Sequence, residues 1–155
     1  MGNAAGEAMR KLSMKGVLIG AIVDVITSFL LGVPLAIYAM SKLDLTHTPK
    51  EQIGSALTAA IHGSVPLHAA ELLVGLGCSV LGGYVAAQIA KRGELLNGAT
   101  SSFLCLALGV YAIASGKNSN AHWLQVLLFV ASPAFAFLGG YLRLRQNSAP
   151  VVEHA

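Results

Sequence analysis

The chain has 155 residues, of which 55% are hydrophobic and only 11% are charged, and its formal net charge is +3. Soluble domains carry roughly a quarter charged residues, and a charge in hydrocarbon costs several kcal/mol, so this composition excludes an ordinary soluble domain and indicates an integral membrane protein. The basic residues flank apolar segments rather than forming an Arg-rich run with interleaved aromatic residues, so the sequence predicts no nucleic-acid partner.

The first apolar segment covers residues 16–40 and follows Arg10, Lys11 and Lys15. It is longer than the apolar core of a signal peptide and lacks a cleavage site, so we expect a retained transmembrane helix. Asp24 is the one acid well inside this span, about 12 Å from its start at the helical rise. An ionisable residue at this depth is a candidate for binding a cation or carrying a proton. The favoured alternative is a carboxyl group that fixes packing by bonding to a Ser or Thr of a neighbouring helix.

The connection after the first span contains the pattern of a short helix. Thr48, Pro49 and Glu51 form a capping box with proline at the first helical position. Apolar residues then follow at helical spacing, and Pro66 prevents the helix from continuing. We therefore expect a short amphipathic surface helix over 49–62, lying at the membrane surface in the first outer loop.

Three further apolar segments are long enough to cross a bilayer, and they cover residues 67–90, 95–115 and 121–142. The predicted fold class is therefore all-α, a four-helix transmembrane bundle. We expect a single transmembrane domain over 1–145 and a short disordered tail over 146–155.

The distribution of Lys and Arg predicts the orientation of the bundle. With both termini inside the cell, most basic residues lie on the inner face, and the outer face carries only Lys42, Lys50 and Lys117. The inner residues are Arg10, Lys11, Lys15, Lys91, Arg92, Arg143 and Arg145. This is the positive-inside bias, so we expect cytoplasmic N and C termini.

Small residues recur every four positions along the second span, a spacing that allows close helix contacts in lipid. The predicted packing residues are Gly75, Ser79, Gly82, Gly83 and Ala87 on this span and Gly139 and Gly140 on the fourth. We expect them to pack helices within the chain. The alternative is an interface with a second copy or with another membrane protein.

A four-residue pattern occurs twice, as Leu81-Gly-Gly-Tyr84 and as Leu138-Gly-Gly-Tyr141. The repeat hints at duplication of a two-helix hairpin. The alternative is coincidence, since short matches arise easily in a Gly-rich apolar sequence.

His68 and Glu71 place an imidazole and a carboxylate on one helix face near the outer end of the second span. His47, His62 and His122 are expected at the same membrane surface. Imidazole and carboxylate suit Zn²⁺, so His68 and Glu71 are candidate metal ligands. The paired ligand spacing of known zinc motifs is missing, as are nucleophile motifs, so the sequence predicts no metal, no other cofactor and no enzyme.

The turn between the second and third spans has a pattern of its own, namely Gly82-Gly83-Tyr84-Val85-Ala86-Ala87, the basic pair Lys91-Arg92, Glu94, and Asn97-Gly98-Ala99. This segment resembles one found in small uncharacterised bacterial membrane-protein families with four predicted spans. The resemblance implies a four-span fold in the bacterial inner (plasma) membrane. Such families have no established activity, so it implies no catalytic residues.

Three functional hypotheses follow. The favoured one is a structural or interaction role through helix packing. The protein would lie in the lipid bilayer, and its partner would be a second copy in a homo-oligomer or another membrane protein. The alternative is a small oligomeric channel or transporter that uses Asp24. A metal-dependent enzyme at the outer face, built on His68 and Glu71, is the third. Asp24 and Glu71 are expected at different depths and are not paired.

Overall fold

A computed structural model describes residues 11–44, 48–115 and 122–148, without the side chain of His122. Every regular element in these ranges is a helix, which confirms the all-α class. The elements are α1 (Met14–Met40), a 3-10 turn (Lys50–Gln52), α2 (Ile53–Gly63), α3 (Val65–Ala90), α4 (Glu94–Ser101), α5 (Phe103–Ala114) and α6 (His122–Ser148).

Within the described residues, 4 helical segments are long and apolar enough to cross a membrane, in the predicted order. They are Met14–Met40, Val65–Ala90, Glu94–Ala114 and Trp123–Ser148. The first three match the predicted bounds within a few residues. The last continues past the predicted end at residue 142, so the first residues of the predicted tail are helical, and residues 149–155 lie outside the described ranges.

The third span is not one continuous helix, because it breaks at Ser102 between α4 and α5. The Ser101 hydroxyl donates to the Gly98 carbonyl at 2.7 Å, and the Ser102 hydroxyl donates to the Ala99 carbonyl at 2.9 Å. Hydroxyls that bond back to the preceding turn compete with the helical ladder and bend helices. The predicted third span over 95–115 is present and consists of these two consecutive helices.

The predicted surface helix is present, but it begins differently from the sequence pattern. The 3-10 turn at Lys50–Gln52 comes first, and neither its cap Pro49 nor the α2 cap Gln52 makes a side-chain cap hydrogen bond. The helical segment therefore begins one residue later than the predicted capping box of Thr48 and Glu51 requires, with Pro49 in the cap position. At the other end, Ser64 alone joins α2 to α3, with extended backbone angles of φ −109° and ψ 109°.

Helix α3 lies at the centre of the bundle, and its two adjacent glycines contact two different helices. A Cβ atom on Gly82 would lie 2.8 Å from the Gly20 carbonyl oxygen of α1, and one on Gly83 would overlap the Ala136 carbonyl of α6. The two backbones can approach this closely only because no side chain intervenes.

The second Gly-Gly pair behaves in the same way on α6. A Cβ atom on Gly139 would overlap the Val80 carbonyl of α3, and one on Gly140 would lie 2.6 Å from the Glu94 carbonyl oxygen of α4. Each pair therefore uses one glycine for the α3–α6 contact and the other for a further helix. This packing demand accounts for the two glycines in each copy of the pattern, and the duplication stays a prediction.

The side chain of Asn97 ties the start of α1 to the turn between α3 and α4. It is fully buried, and its Oδ1 accepts a hydrogen bond from the Ser13 amide at 2.7 Å. Its Nδ2 donates to the carbonyl oxygens of Lys11, Arg92 and Gly93 at 3.0, 2.9 and 2.9 Å. This end of the bundle is hereafter the closed end.

The opposite end of the bundle, which carries Glu71, is more loosely packed and is hereafter the open end. On α1, a Cβ atom at Gly16 or Gly20 would lie 2.8 or 2.5 Å from an α3 carbonyl oxygen, whereas at Gly32 no described atom lies within 4 Å. On α3, Gly75 and Gly77 likewise have open space beside them. The helices therefore converge at one end and separate toward the other.

Candidate functional site

The separation of the helices leaves a cavity of about 370 Å³ between α1, α3, α5 and α6. Its walls are mainly aliphatic and aromatic, with carboxyl, hydroxyl, thiol and amide groups placed among them. The polar side chains that line it are Asp24, Ser28, Glu71, Ser79, Cys105, Gln125 and Ser132. Apolar walls with a few convergent polar groups are typical of small-ligand sites.

Asp24 lies at the deep end of this cavity and is only 2% exposed. The Ser79 hydroxyl of α3 donates to its Oδ2 at 3.1 Å, and the Cys105 thiol of α5 donates to the same oxygen at 3.2 Å. The Ser132 hydroxyl of α6 lies 3.3 Å from that of Ser79. Three other helices thus contribute polar groups around the Asp24 carboxyl group of α1.

The second oxygen of this carboxyl group is in a different situation. Asp24 Oδ1 is buried and has no hydrogen-bond partner among the described residues. A buried polar atom without a partner is costly, and in native structures such atoms are often functional. The hydrogen bonds to Oδ2 fit the predicted packing role of Asp24, whereas the unpaired Oδ1 does not.

Glycine explains how α1 brings the carboxyl group so close to α3. A Cβ atom on Gly82 would lie 2.8 Å from the Asp24 Cβ, so only glycine leaves room for Asp24 at this crossing. Ser79 lies one helical turn before Gly82 and reaches the carboxyl oxygen from there. The predicted small-residue positions of α3 therefore surround the buried acid.

The predicted packing residues do not all make helix contacts. Ala87 is 1% exposed and Ser79 is 4% exposed, and both lie in the helix interface. Gly75 lines the cavity instead, with no described atom within 4 Å of a Cβ placed there. Its missing side chain widens the cavity rather than bringing two helices together.

Glu71 lines the same cavity at its open end, close to two histidines. Its Oε2 lies 3.2 Å from His62 Nε2 and 3.5 Å from His68 Nδ1, and the two imidazole rings meet edge to face with centroids 4.5 Å apart. The predicted pair of His68 and Glu71 is thus joined by His62. His47 and the side chain of His122 lie outside the described residues.

Several residues of the site were not identified from the sequence. Ser28 and Gln125 carry no motif, whereas Cys105 and Ser132 stand four positions before Gly109 and Ala136, a spacing that predicts helix packing and not a polar site. The available signal was their spacing, because a polar residue in the middle of several spans indicates a shared polar interior. Asp24 and Glu71 differ in depth as predicted, but a single cavity connects them.

No family model, no curated protein and no solved structure matches this chain. The resemblance of the Gly82–Ala99 segment to bacterial four-span families therefore stays a prediction.

Proposed function

We propose that this multi-pass membrane protein transports a small cation, H⁺ included, with Asp24 as the anionic group that receives it. The observation that carries the proposal is the cavity itself, which runs from Glu71 at the open end to the buried Asp24. This is the channel or transporter alternative of the sequence analysis, and it assigns no catalytic residue.

The environment of Asp24 favours a positively charged partner. An ionised carboxylate removed from water needs an opposite charge or a full set of hydrogen bonds. Asp24 accepts hydrogen bonds from Ser79 and Cys105 on Oδ2 and interacts with the Ser28 hydroxyl of its own helix, all of them neutral groups. Within the described ranges it takes part in neither of the ion pairs present. A proton or a small cation would supply the missing compensation.

The closed end would act as the barrier to free passage. Beyond Asp24, the close contacts of Gly16 and Gly20 with α3 leave no space for a side chain, still less for a hydrated ion. Transport would then require these helices to move apart while the open end closes, as in alternating access. With the N and C termini in the cytoplasm, as the basic residues predict, the cavity would open to the outside.

Reconstituted flux tests this function. Purified protein in sealed liposomes is assayed for movement of H⁺, monovalent and divalent cations with indicator dyes. We expect flux of at least one cation, lost in Asp24→Asn and retained in part by Asp24→Glu. Glu51→Gln removes an exposed carboxylate outside the spans and serves as the matched control. Flux that Asp24→Asn leaves at the wild-type level would refute the proposal, as would absence of flux in folded wild-type protein.

A groove on the surface of α1 favours the second candidate, a structural or interaction role. Ser28, Gly32 and Ala36 form a row of small residues on α1, and with Phe29 and Val33 they line a groove of about 340 Å³. Such rows accept a second helix in membranes. If a partner helix docks there, Gly32→Leu should abolish an oligomer that native mass spectrometry detects in wild-type protein released from nanodiscs. A wild-type monomer without a bound partner would argue against this role.

A further inference from the structure

We infer that His62, His68 and Glu71 form a binding site for a divalent transition-metal ion, with Zn²⁺ the best fit, at the mouth of the cavity. Their ligand atoms all lie within 4.8 Å of one another. Two imidazoles and one carboxylate are a ligand set that zinc binds with three protein ligands and an open fourth position. The inference concerns binding alone and does not depend on cation transport.

The corner between α2 and α3 brings the three residues together. His62 is in the last turn of α2, and a single extended residue, Ser64, separates the two helices. Pro66 at the start of α3 prevents α2 from continuing as a straight helix. His68 and Glu71 lie three positions apart on α3, so they share one face and meet His62 across the corner.

Two of the three distances between the ligand atoms match those of a tetrahedral zinc site. With metal–ligand bonds of about 2.0–2.1 Å, neighbouring ligand atoms are about 3.3 Å apart. Glu71 Oε2 lies 3.2 Å from His62 Nε2 and 3.5 Å from His68 Nδ1. The ligand atoms of the two histidines lie within 4.8 Å of each other, and side-chain rotation would bring one ion within bonding distance of all three groups.

A set of ion pairs between Glu71 and protonated histidines is the competing explanation. It leaves His68 Nδ1 poorly compensated, because this buried nitrogen lies 3.5 Å from Glu71 Oε2 and makes no hydrogen bond to any described residue. It also requires a single carboxylate oxygen to form ion pairs with two imidazoles. A metal ion between the three groups would satisfy that nitrogen and that oxygen together.

The position of the site gives it a route to solvent. The Glu71 side chain is 45% exposed, and the two histidines are 20% and 21% exposed, so an ion can enter from water and keep a water molecule as its fourth ligand. Because Glu71 also lines the cavity, a bound ion would sit at its mouth.

Metal titration of tag-free protein tests the inference. Detergent-solubilised protein is stripped with a chelator and titrated with Zn²⁺ against a chromophoric competitor, and bound zinc is counted by elemental analysis. We expect one Zn²⁺ per chain, and with Co²⁺ the intense visible bands of a tetrahedral site. The double variant His62→Ala/His68→Ala and the single variant Glu71→Gln should weaken binding at least tenfold.

Two further variants keep the test decisive. Glu51→Gln removes a carboxylate outside the cluster and should bind zinc as the wild type does, whereas Glu71→His replaces one ligand with another and should restore binding relative to Glu71→Gln. Circular dichroism verifies that each variant is folded. Zinc binding unchanged in the folded double variant would overturn the inference, and so would a wild type that binds no zinc at micromolar concentration.

Discussion

Asp24 and Glu71 line opposite ends of one cavity, although they lie on different helices and at different depths. Glu71 is close to two histidines at the open end, whereas Asp24 is buried among Ser79, Cys105 and Gly82. The arrangement joins an accessible carboxylate to a buried one through a cavity with mostly apolar walls. It is the basis for proposing that a cation reaches Asp24.

A cation bound at Asp24 should stabilise the folded protein. A ligand present at about 100 times its dissociation constant adds about 2.7 kcal/mol to the free energy of unfolding. We expect at least one cation of a panel to raise the melting temperature of the wild type and to have no effect on Asp24→Asn. The measurement is thermal unfolding in detergent, followed by intrinsic fluorescence.

The same panel should be run in the His62→Ala/His68→Ala background, which removes the proposed zinc cluster and leaves Asp24 intact. A cation effect that persists there and disappears with Asp24→Asn belongs to the deep end of the cavity. Equal shifts with and without the Asp24 carboxylate would count against cation binding there.

Gly83→Ala should destabilise the bundle, because the added Cβ would overlap the Ala136 carbonyl of α6. Inserting a methyl group into a packed interface costs about 1–3 kcal/mol. Gly77→Ala is the matched control on the same helix, since no described atom lies within 4 Å of its added Cβ. We expect a clearly lower melting temperature for Gly83→Ala and little change for Gly77→Ala, and similar values for the two variants would show that the α3–α6 contact is not close.

Asn97→Ala should loosen the closed end of the bundle. It removes the acceptor of the Ser13 amide and the amide group whose two hydrogens are shared among the Lys11, Arg92 and Gly93 carbonyl oxygens, of which that of Gly93 keeps the backbone amide of residue 97 as a donor. Each buried group left without a partner costs about 1–3 kcal/mol. We expect a lower melting temperature and faster proteolysis ahead of Ser13.

Thr58→Ala provides the comparison for Asn97→Ala, because the Thr58 hydroxyl bonds only to the Gly54 carbonyl of its own helix. It should change the melting temperature little. If Asn97→Ala is no less stable than Thr58→Ala, the hydrogen bonds of Asn97 do not hold the two segments together.

The helices themselves could be predicted because the physical signal is strong. Apolar runs of the length of a bilayer, ended by basic residues, allow little other than spanning helices. The α3 row of small residues predicted a face rather than specific partners. Gly83 contacts α6 and Gly82 contacts α1, whereas Gly75 lines the cavity. Which glycines make helix contacts depends on how the helices diverge.

The site could be predicted only in part, because its members come from separate helices. Asp24 stood out as a charge in an apolar span, and His68 and Glu71 stood out by their spacing. His62 joins them only because α2 turns sharply into α3 at Ser64. The hydrogen bonds of Ser79 and Cys105 to Asp24 depend on helix rotation, which no pattern along the chain specifies. Asn97 lies in the turn between the second and third spans, but its role depends on contacts with Lys11 and Ser13, which are far away in sequence.

The cavity can be tested with two leucines of α3. Leu76 lines the cavity, whereas Leu73 is 71% exposed on the outer surface of the bundle, where lipid would cover it. With Cys78 replaced by alanine and Cys105 by serine, whose hydroxyl can donate to Asp24 in place of the thiol, Leu76→Cys and Leu73→Cys each carry a single thiol at similar depth. A hydrophilic thiol reagent reaches only positions that water reaches, so it should modify the first variant and not the second.

The charge preference of that reaction is the measurement that tests the central claim most directly, since it requires no knowledge of the transported ion. The rates at which a cationic and a neutral thiol reagent modify Leu76→Cys are compared in sealed liposomes. The comparison is repeated with Asp24→Asn added, and separately with Glu71→Gln added to measure the effect of the other carboxylate. We predict a preference for the cationic reagent that falls when Asp24 is replaced. A Leu76→Cys thiol as inert as that of Leu73→Cys, or a preference that Asp24→Asn leaves unchanged, would contradict the proposal that Asp24 attracts a cation into this cavity.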